Sequence, residues 1–466
     1  MARPVVAPST PPVPSPPSSR IGGFSIVSRV FTWLVGLASF GLLAYMLAHV
    51  FYQIAVPPPA HRILFVQDIP LPSGLGATSP GQKDPLAPGI QQDFDKFDFQ
   101  AYDPPTHRLF IAHSGPSPDL LALAHTKFDP KYDGHIIVFD TQKDAIIARI
   151  NIPQVAGIVD ATDLRKIYAA DAQDNVVDVI DVNTLKFSPI QLDDNESPDA
   201  ISYDSVDHRI FVSDPGTPAD PEKTLNPDRA NEDVTAIDAL TDQVIGKVNL
   251  GLLPLLPGEK APVTQPGNIP TFGHDVGHNK YDPALKRIFV TSQILPDADS
   301  PNQFILPPPG TGELVAIDAV DLTIVQRIVL PDYCSTPHGM DIDTEQQVAF
   351  LACTDFDSDR NLFENLLRVD LRTMKVIPFD PSQARLAGGP DIVLIDHSAH
   401  VLFIACKGGI SLFDERAGQF HKLGDYVLGK GTHTIAINEA TQEIYLPQFA
   451  GSRPVLRIGR YNANGT

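Results

Sequence analysis

Residues 334–355 read CSTPHGMDIDTEQQVAFLACTD. From His338 to Cys353 the stretch holds a short strand-forming segment, a polar turn beginning at Asp343, and the alternating apolar segment VAFLAC. The same pattern recurs along the chain as DFQAYDPPTHRLFIAH from Asp98, DAISYDSVDHRIFVSD from Asp199, HNKYDPALKRIFVTS from His278, DIVLIDHSAHVLFIAC from Asp391 and HTIAINEATQEIYLPQ from His433. A degenerate copy, AGIVDATDLRKIYAAD, starts at Ala156 and brings the count to seven. The alternation within each second segment is the period of a half-buried strand. The turns between segments are rich in Asp, Asn and Pro, as tight connections require.

Most copies are followed by a second half of the same kind, for example GHIIVFDTQKDAIIARI, NVVDVIDVNTLKFSPIQL and GELVAIDAVDLTIVQRIVL. Each second half is a strand, a turn beginning at Asp140, Asp181, Asp238, Asp318, Asp370 or Asp414, and another strand. Taken singly these aspartates look catalytic. Their repetition at the first position of a turn identifies them as backbone-capping residues. Units of four antiparallel strands with no helical periodicity between them predict blades of a β-propeller, in which radial repetition protects the sheet edges. The fold expected is all-β, a seven-bladed propeller of four-stranded blades spanning residues 94–466. The last blade is short of a strand, and HRILFVQDIPLP, residues 61–72, is the expected donor that pairs first segment against last and closes the ring.

At this point the chain resembles the YVTN-type, or YncE-like, β-propeller repeat family, with TPHGMDID and VVDVIDVNT the segments that carry the likeness best. The resemblance implies the fold and leaves the activity open, since such propellers host binding, scaffolding and enzymatic roles.

The residues before the repeat differ in kind. Residues 1–29 begin with the proline-rich MARPVVAPSTPPVPSPPSSR, which has almost nothing to bury and reads as a disordered tail. Val30 to Val56 runs without a formal charge, long enough for one helix to cross a hydrocarbon core of ~30 Å. It is also longer than the apolar region of a cleaved signal peptide, about 7 to 15 residues. Arg3, Arg20 and Arg29 precede the span, so the positive-inside rule places the N-terminus in the cytoplasm and the propeller outside, anchored to the membrane by that helix. Residues 57–93 read as a stalk, Pro- and Gly-rich from Pro70 to Gly89.

The chain of 466 residues carries 35 Lys plus Arg against 56 Asp plus Glu, a formal charge of -21 that repels phosphate backbones. Nucleic acid is therefore excluded as an expected partner. Its three cysteines form no CxxC or CxxCH, and no GxGxxG follows a strand and opens a helix.

In a propeller the innermost strand of each blade lines the channel, and its entry shares a face with the end of the second strand. Two sets of positions then converge on one mouth. The first is Asp98, Ala156, Asp199, the Gly277/His278 position, His338, Asp391 and His433. The second is His113, Asp171, Asp214, Ser292, Cys353, Cys406 and Gln448. In the fourth blade the register slips by one residue at His278. Carboxylates and imidazoles at one ring, His338, Asp391 and His433 foremost, are suited to a divalent cation; they also suit holding channel water, which a propeller axis needs without any ligand and which is the reading favoured here. The same face receives long insertions, Gly115 to Asp133, Pro215 to Glu232, Gln293 to Thr311 and Asp355 to Glu364, of the kind that recognise a protein or small-molecule ligand.

Two functions stay open at this stage. One is a membrane-anchored extracytoplasmic binding module with its ligand at the long-loop face. The other is a metal-dependent lactone or sugar-ester hydrolase, in which an ion polarises the ester carbonyl. Propeller lactonases present a Glu/Asn/Asp set on six blades, unlike the Asp and His set here. Ser292, His338 and Asp391 could be drawn as a triad, but no nucleophile elbow accompanies them. Cys334 enters the fifth blade and Cys353 ends its second strand, so a disulfide between them is expected, in keeping with an outside location; Cys406 is left as a free thiol.

Overall fold

The computed structural model describes residues 62–72, 96–115, 134–193, 197–215, 232–251, 253, 256–257, 273–295, 312–356, 362–416, 418, 420–451 and 453–462. The expected membrane span, the proline-rich tail and nearly all of the long insertions lie outside these residues. Among them, no helix is long and apolar enough to cross a membrane.

Seven antiparallel sheets of four strands each make up the described chain. The first blade is β2 (Phe97–Asp103), β3 (Arg108–His113), β4 (His135–Asp140) and β5 (Ala145–Asn151). The second is β6 (Val155–Ala161), β7 (Lys166–Asp171), β8 (Val176–Asp181) and β9 (Phe187–Gln191). The third is β10 (Ile201–Asp204), β11 (Arg209–Asp214), β12 (Asp233–Asp238) and β13 (Gln243–Asn249). The fourth is β14 (Gly273–Asp282), β15 (Arg287–Leu295), β16 (Gly312–Asp318) and β17 (Ile324–Val329). The fifth is β18 (Thr336–Asp343), β19 (Val348–Phe356), β20 (Leu362–Asp370) and β21 (Lys375–Val376), and a single helical turn, α1 (Pro381–Ala384), leads on from it. The sixth is β22 (Pro390–Asp396), β23 (Val401–Cys406), β24 (Gly409–Asp414) and β25 (His421–Val427). The seventh combines β26 (Ala436–Asn438), β27 (Glu443–Ala450) and β28 (Arg453–Asn462) with β1 (Arg62–Pro70), which lies on the outer side of β28 in the order β1-β28-β27-β26.

The turns follow from their sequences. Asp140, Asp181, Asp238 and Asp318 each accept backbone N–H bonds from the residues two and three ahead, and Asp370 accepts one from Thr373. The residue after each such turn is left-handed, as at Asp144 (φ 50°), Leu185 (φ 57°) and Leu322 (φ 52°). A capped tight turn ending in a left-handed residue fixes the hairpin register.

The middle strands differ from the half-buried reading of the sequence. In β3 and β4 almost every residue is buried, not alternate ones, and β12, β16, β23 and β24 behave alike. Each blade is covered on both faces by its neighbours, so both sides of a middle strand meet apolar surface; only an outer strand such as β5 alternates. The buried side chains fall into seven clusters, each shared by two neighbouring blades. The cluster between the seventh and first blades joins Leu71, Leu456 and Tyr445 to Phe97, Leu109 and Phe139. The ring is therefore closed by the same apolar packing that joins every other pair.

Candidate functional site

The innermost strands do not enter their sheets smoothly. β2, β6, β14, β18 and β22 each carry a register irregularity at the channel end, between Phe97 and Gln100, Val155 and Ile158, Val276 and Asn279, Pro337 and Met340, and Pro390 and Val393. A bulge re-aims the side chains it contains. Asp98, His278, His338 and Asp391 all sit within these irregularities.

The result is a cluster around one carboxylate. His338 Nε2 lies 3.1 Å and His278 Nε2 3.7 Å from Asp391 Oδ1, while His433 Nε2 contacts Oδ2. Asp391 and His278 are buried, whereas the His338 side chain keeps 48% of its surface exposed. Thr291 Oγ1, on the second strand of the fourth blade, donates to the carbonyl of His338 at 3.0 Å and to that of His278 at 3.3 Å. His278 also packs against Phe99 of the first blade and against His338, with ring centroids 4.8 Å apart in both pairs. Although one residue out of register with the other entry positions, His278 thus reaches the same centre.

The electrostatics follow from burial and from these neighbours. Burial by itself raises the Asp391 carboxyl, but His433 and His338 outweigh it and hold the group well below the usual carboxylate range, so it is ionised. Burial, with His338 adding to it, pushes His278 well below the ordinary imidazole value and keeps the ring neutral. Lys96 pairs with Asp98 at 2.7 Å, and that carboxylate raises the lysine. Burial lifts Asp199 to about 6, with Asp98 adding to the shift.

Beside the cluster opens a cavity of about 970 Å³, with Lys96, Asp98, Asp199, Lys407, Lys430 and His433 among its lining residues. His433 and Asp98 belong both to this wall and to the surroundings of Asp391. Lys407 and Lys430 make no ion pair with any described residue. The lysines were not legible as site residues in the sequence, because each falls outside the aligned strand-entry columns. Lys96 had a weak signal, a charge two positions ahead of Asp98.

The second set of positions is level with the first, as the pairings Phe97–His113, Pro337–Cys353 and Pro390–Cys406 require. One strand farther from the axis, however, these residues are enclosed and do not line the cavity. His113 is buried with its Nδ1 3.3 Å from that of His135. Asp171 accepts the backbone N–H groups of Gln173 and Asp174 at 3.0 and 2.9 Å, and burial lifts it to about 7. Asp214 is buried and accepts from Thr235 Oγ1 at 2.6 Å. The Ser292 hydroxyl is buried without a hydrogen bond, so no relay links it to His338. Cys334 and Cys353 form a disulfide with Cα atoms 4.9 Å apart, and Cys406 is a buried free thiol.

No protein-family model and no curated protein matches the sequence. Among solved structures, a chain of Kuenenia stuttgartiensis hydrazine synthase is similar, with a TM-score of 0.56 at 11% identity over 82% of this chain and 99% of that one. Likeness at that identity is likeness of fold, and with the seven closed sheets it makes this chain a seven-bladed β-propeller.

Proposed function

We propose that the chain is an extracytoplasmic binding module of the YVTN type, anchored by residues 30–56, that takes a small anionic ligand at the channel mouth. The observation that carries the reading is the cavity of about 970 Å³ whose rim holds Lys407 and Lys430, exposed and without carboxylate partners among the described residues, in a chain of formal charge -21. Ammonium groups held at a concave site in an otherwise acidic protein attract anions there. The anchor is supported by the uncharged run at 30–56 and the arginines that precede it, and the YVTN assignment by the repeated segments.

The reading is tested by thermal unfolding of the purified full-length chain with inorganic phosphate and with citrate. A ligand that binds only the folded state at about 100 times its Kd stabilises by ~2.7 kcal/mol, so a saturable rise in Tm is expected. A Tm unmoved by either anion counts against it.

A further inference from the structure

We propose that the cluster beside the channel-mouth cavity is a divalent transition-metal centre, with the Nε2 atoms of His278 and His338 and the Oδ1 atom of Asp391 as its protein ligands. One ligand atom from each of these residues lies within 4.8 Å of the others, and the two Nε2 atoms stand 3.1 and 3.7 Å from Asp391 Oδ1. An ion bound at ~2.0–2.2 Å by nitrogen and oxygen ligands places them roughly 3 to 3.5 Å apart, so the triangle is already near the required size.

Asp391 Oδ1 is the second observation. It is buried and accepts no hydrogen bond of good geometry, although two imidazole nitrogens face it. A buried carboxylate oxygen without such a bond is costly unless a charge satisfies it. A cation set between Oδ1 and the two nitrogens would do so and would draw on the lone pairs of both rings.

The surroundings match those of a ligand set. His433 contacts the other carboxylate oxygen and so orients Asp391, and Thr291 ties the backbones that carry both histidine ligands. Two imidazoles and one carboxylate with open positions suit zinc, iron(II) or copper(II) rather than calcium, which prefers six to eight oxygens. The half-exposed His338 gives the ion a route in and leaves coordination sites toward solvent. His433 acts as a positioning residue. The centre lies beside the cavity of the binding reading above, with His433 shared between them, and ion uptake needs no anion.

The test uses the full-length chain stripped with chelator and dialysed against zinc alone, with metal content measured by mass spectrometry and copper(II) loading followed by electron paramagnetic resonance. One equivalent is expected, with hyperfine structure from two imidazole nitrogens. His338→Ala should leave one nitrogen and retain its fold by circular dichroism, because that side chain is half exposed. His433→Ala should keep both nitrogens while weakening binding about 10- to 100-fold. His400→Ala, whose ring faces Glu415, should change nothing. No stoichiometric uptake by the native chain, or an unchanged nitrogen count in folded His338→Ala, overturns the proposal. Metal uptake without anion binding would leave this centre standing and remove the ligand reading; anion binding without metal uptake would do the reverse.

Discussion

Gly339 in the fifth blade presses its backbone against that of Asp391 in the sixth, so closely that a Cβ at Gly339 would stand 1.5 Å from the Asp391 carbonyl oxygen. The two residues lie in matching irregularities of neighbouring innermost strands, and their approach brings His338 onto the Asp391 carboxylate. Gly339→Ala must push two backbones apart, since neither atom is the end of a flexible side chain. The expected cost is about 3 kcal/mol, read as a lower midpoint of denaturant unfolding. A variant as stable as the parent would show that the blades are not this close.

The Cys334–Cys353 disulfide closes a loop with a sequence separation of 19 around the entry of the fifth blade. In the chain-entropy model such a closure stabilises by about 3 kcal/mol, and Cys334→Ser should lose that much. Burial pushes the Cys406 thiol up to about 12, so it should resist labelling in the native protein. Unfolding without reductant should expose one reactive thiol, and unfolding with reductant three; three thiols without reductant would contradict the pairing.

Stability should fall as the pH rises from about 5 toward neutrality. Burial raises Asp160, Asp171 and Glu415 to about 7, with a neighbouring Asp343 adding to the shift of Glu415. A carboxyl with a folded pKa above its unfolded value contributes its full stability below the unfolded pKa and loses it as the pH rises from there to the folded one. His278, lowered in the folded state, has the opposite dependence up to the ordinary imidazole value, but one such group does not offset three raised carboxyls. Tm should therefore drop between about pH 5 and about pH 7 and level off above about pH 8, and Asp171→Asn should flatten the slope. A Tm that climbs across this range would refute the assignment.

Ring closure rests on β1. Ile63 and Leu71 are buried in the clusters on either side of the seventh blade, and Arg457 makes a two-bonded ion pair with Asp68 at 2.7 Å. Ile63→Ala and Leu71→Ala should each cost about 2 to 4 kcal/mol, and Arg457→Ala, a half-exposed pair, less than about 1 kcal/mol. A propeller lacking residues 61–72 that unfolds at the same denaturant concentration as the parent would count against closure by this strand.

The fold was legible because its information is periodic. One turn aspartate and one alternating strand, repeated, determine the blade and its hairpins, and the apolar residues on both faces of β3 or β23 follow once blades are stacked. The cluster was legible in part for the same reason: His338, Asp391 and His433 occupy equivalent entry positions. His278 was ambiguous because its one-residue offset is resolved only by the local irregularity in β14. His113, Asp171 and Asp214 were misplaced because strand register gives height along the axis but not distance from it. Lys407 and Lys430 were missed since they belong to connections, where no repeat reports which way the chain faces.

Calorimetric titration of the full-length chain with citrate, alongside a Lys407→Ala/Lys430→Ala variant, decides whether the channel mouth is a binding site. Saturable binding to the native chain, weakened about tenfold or more in a variant with unchanged Tm, is the expected result, each tenfold corresponding to ~1.4 kcal/mol. Citrate binding that survives undiminished when both lysines are removed, or no binding to the native chain, would contradict it.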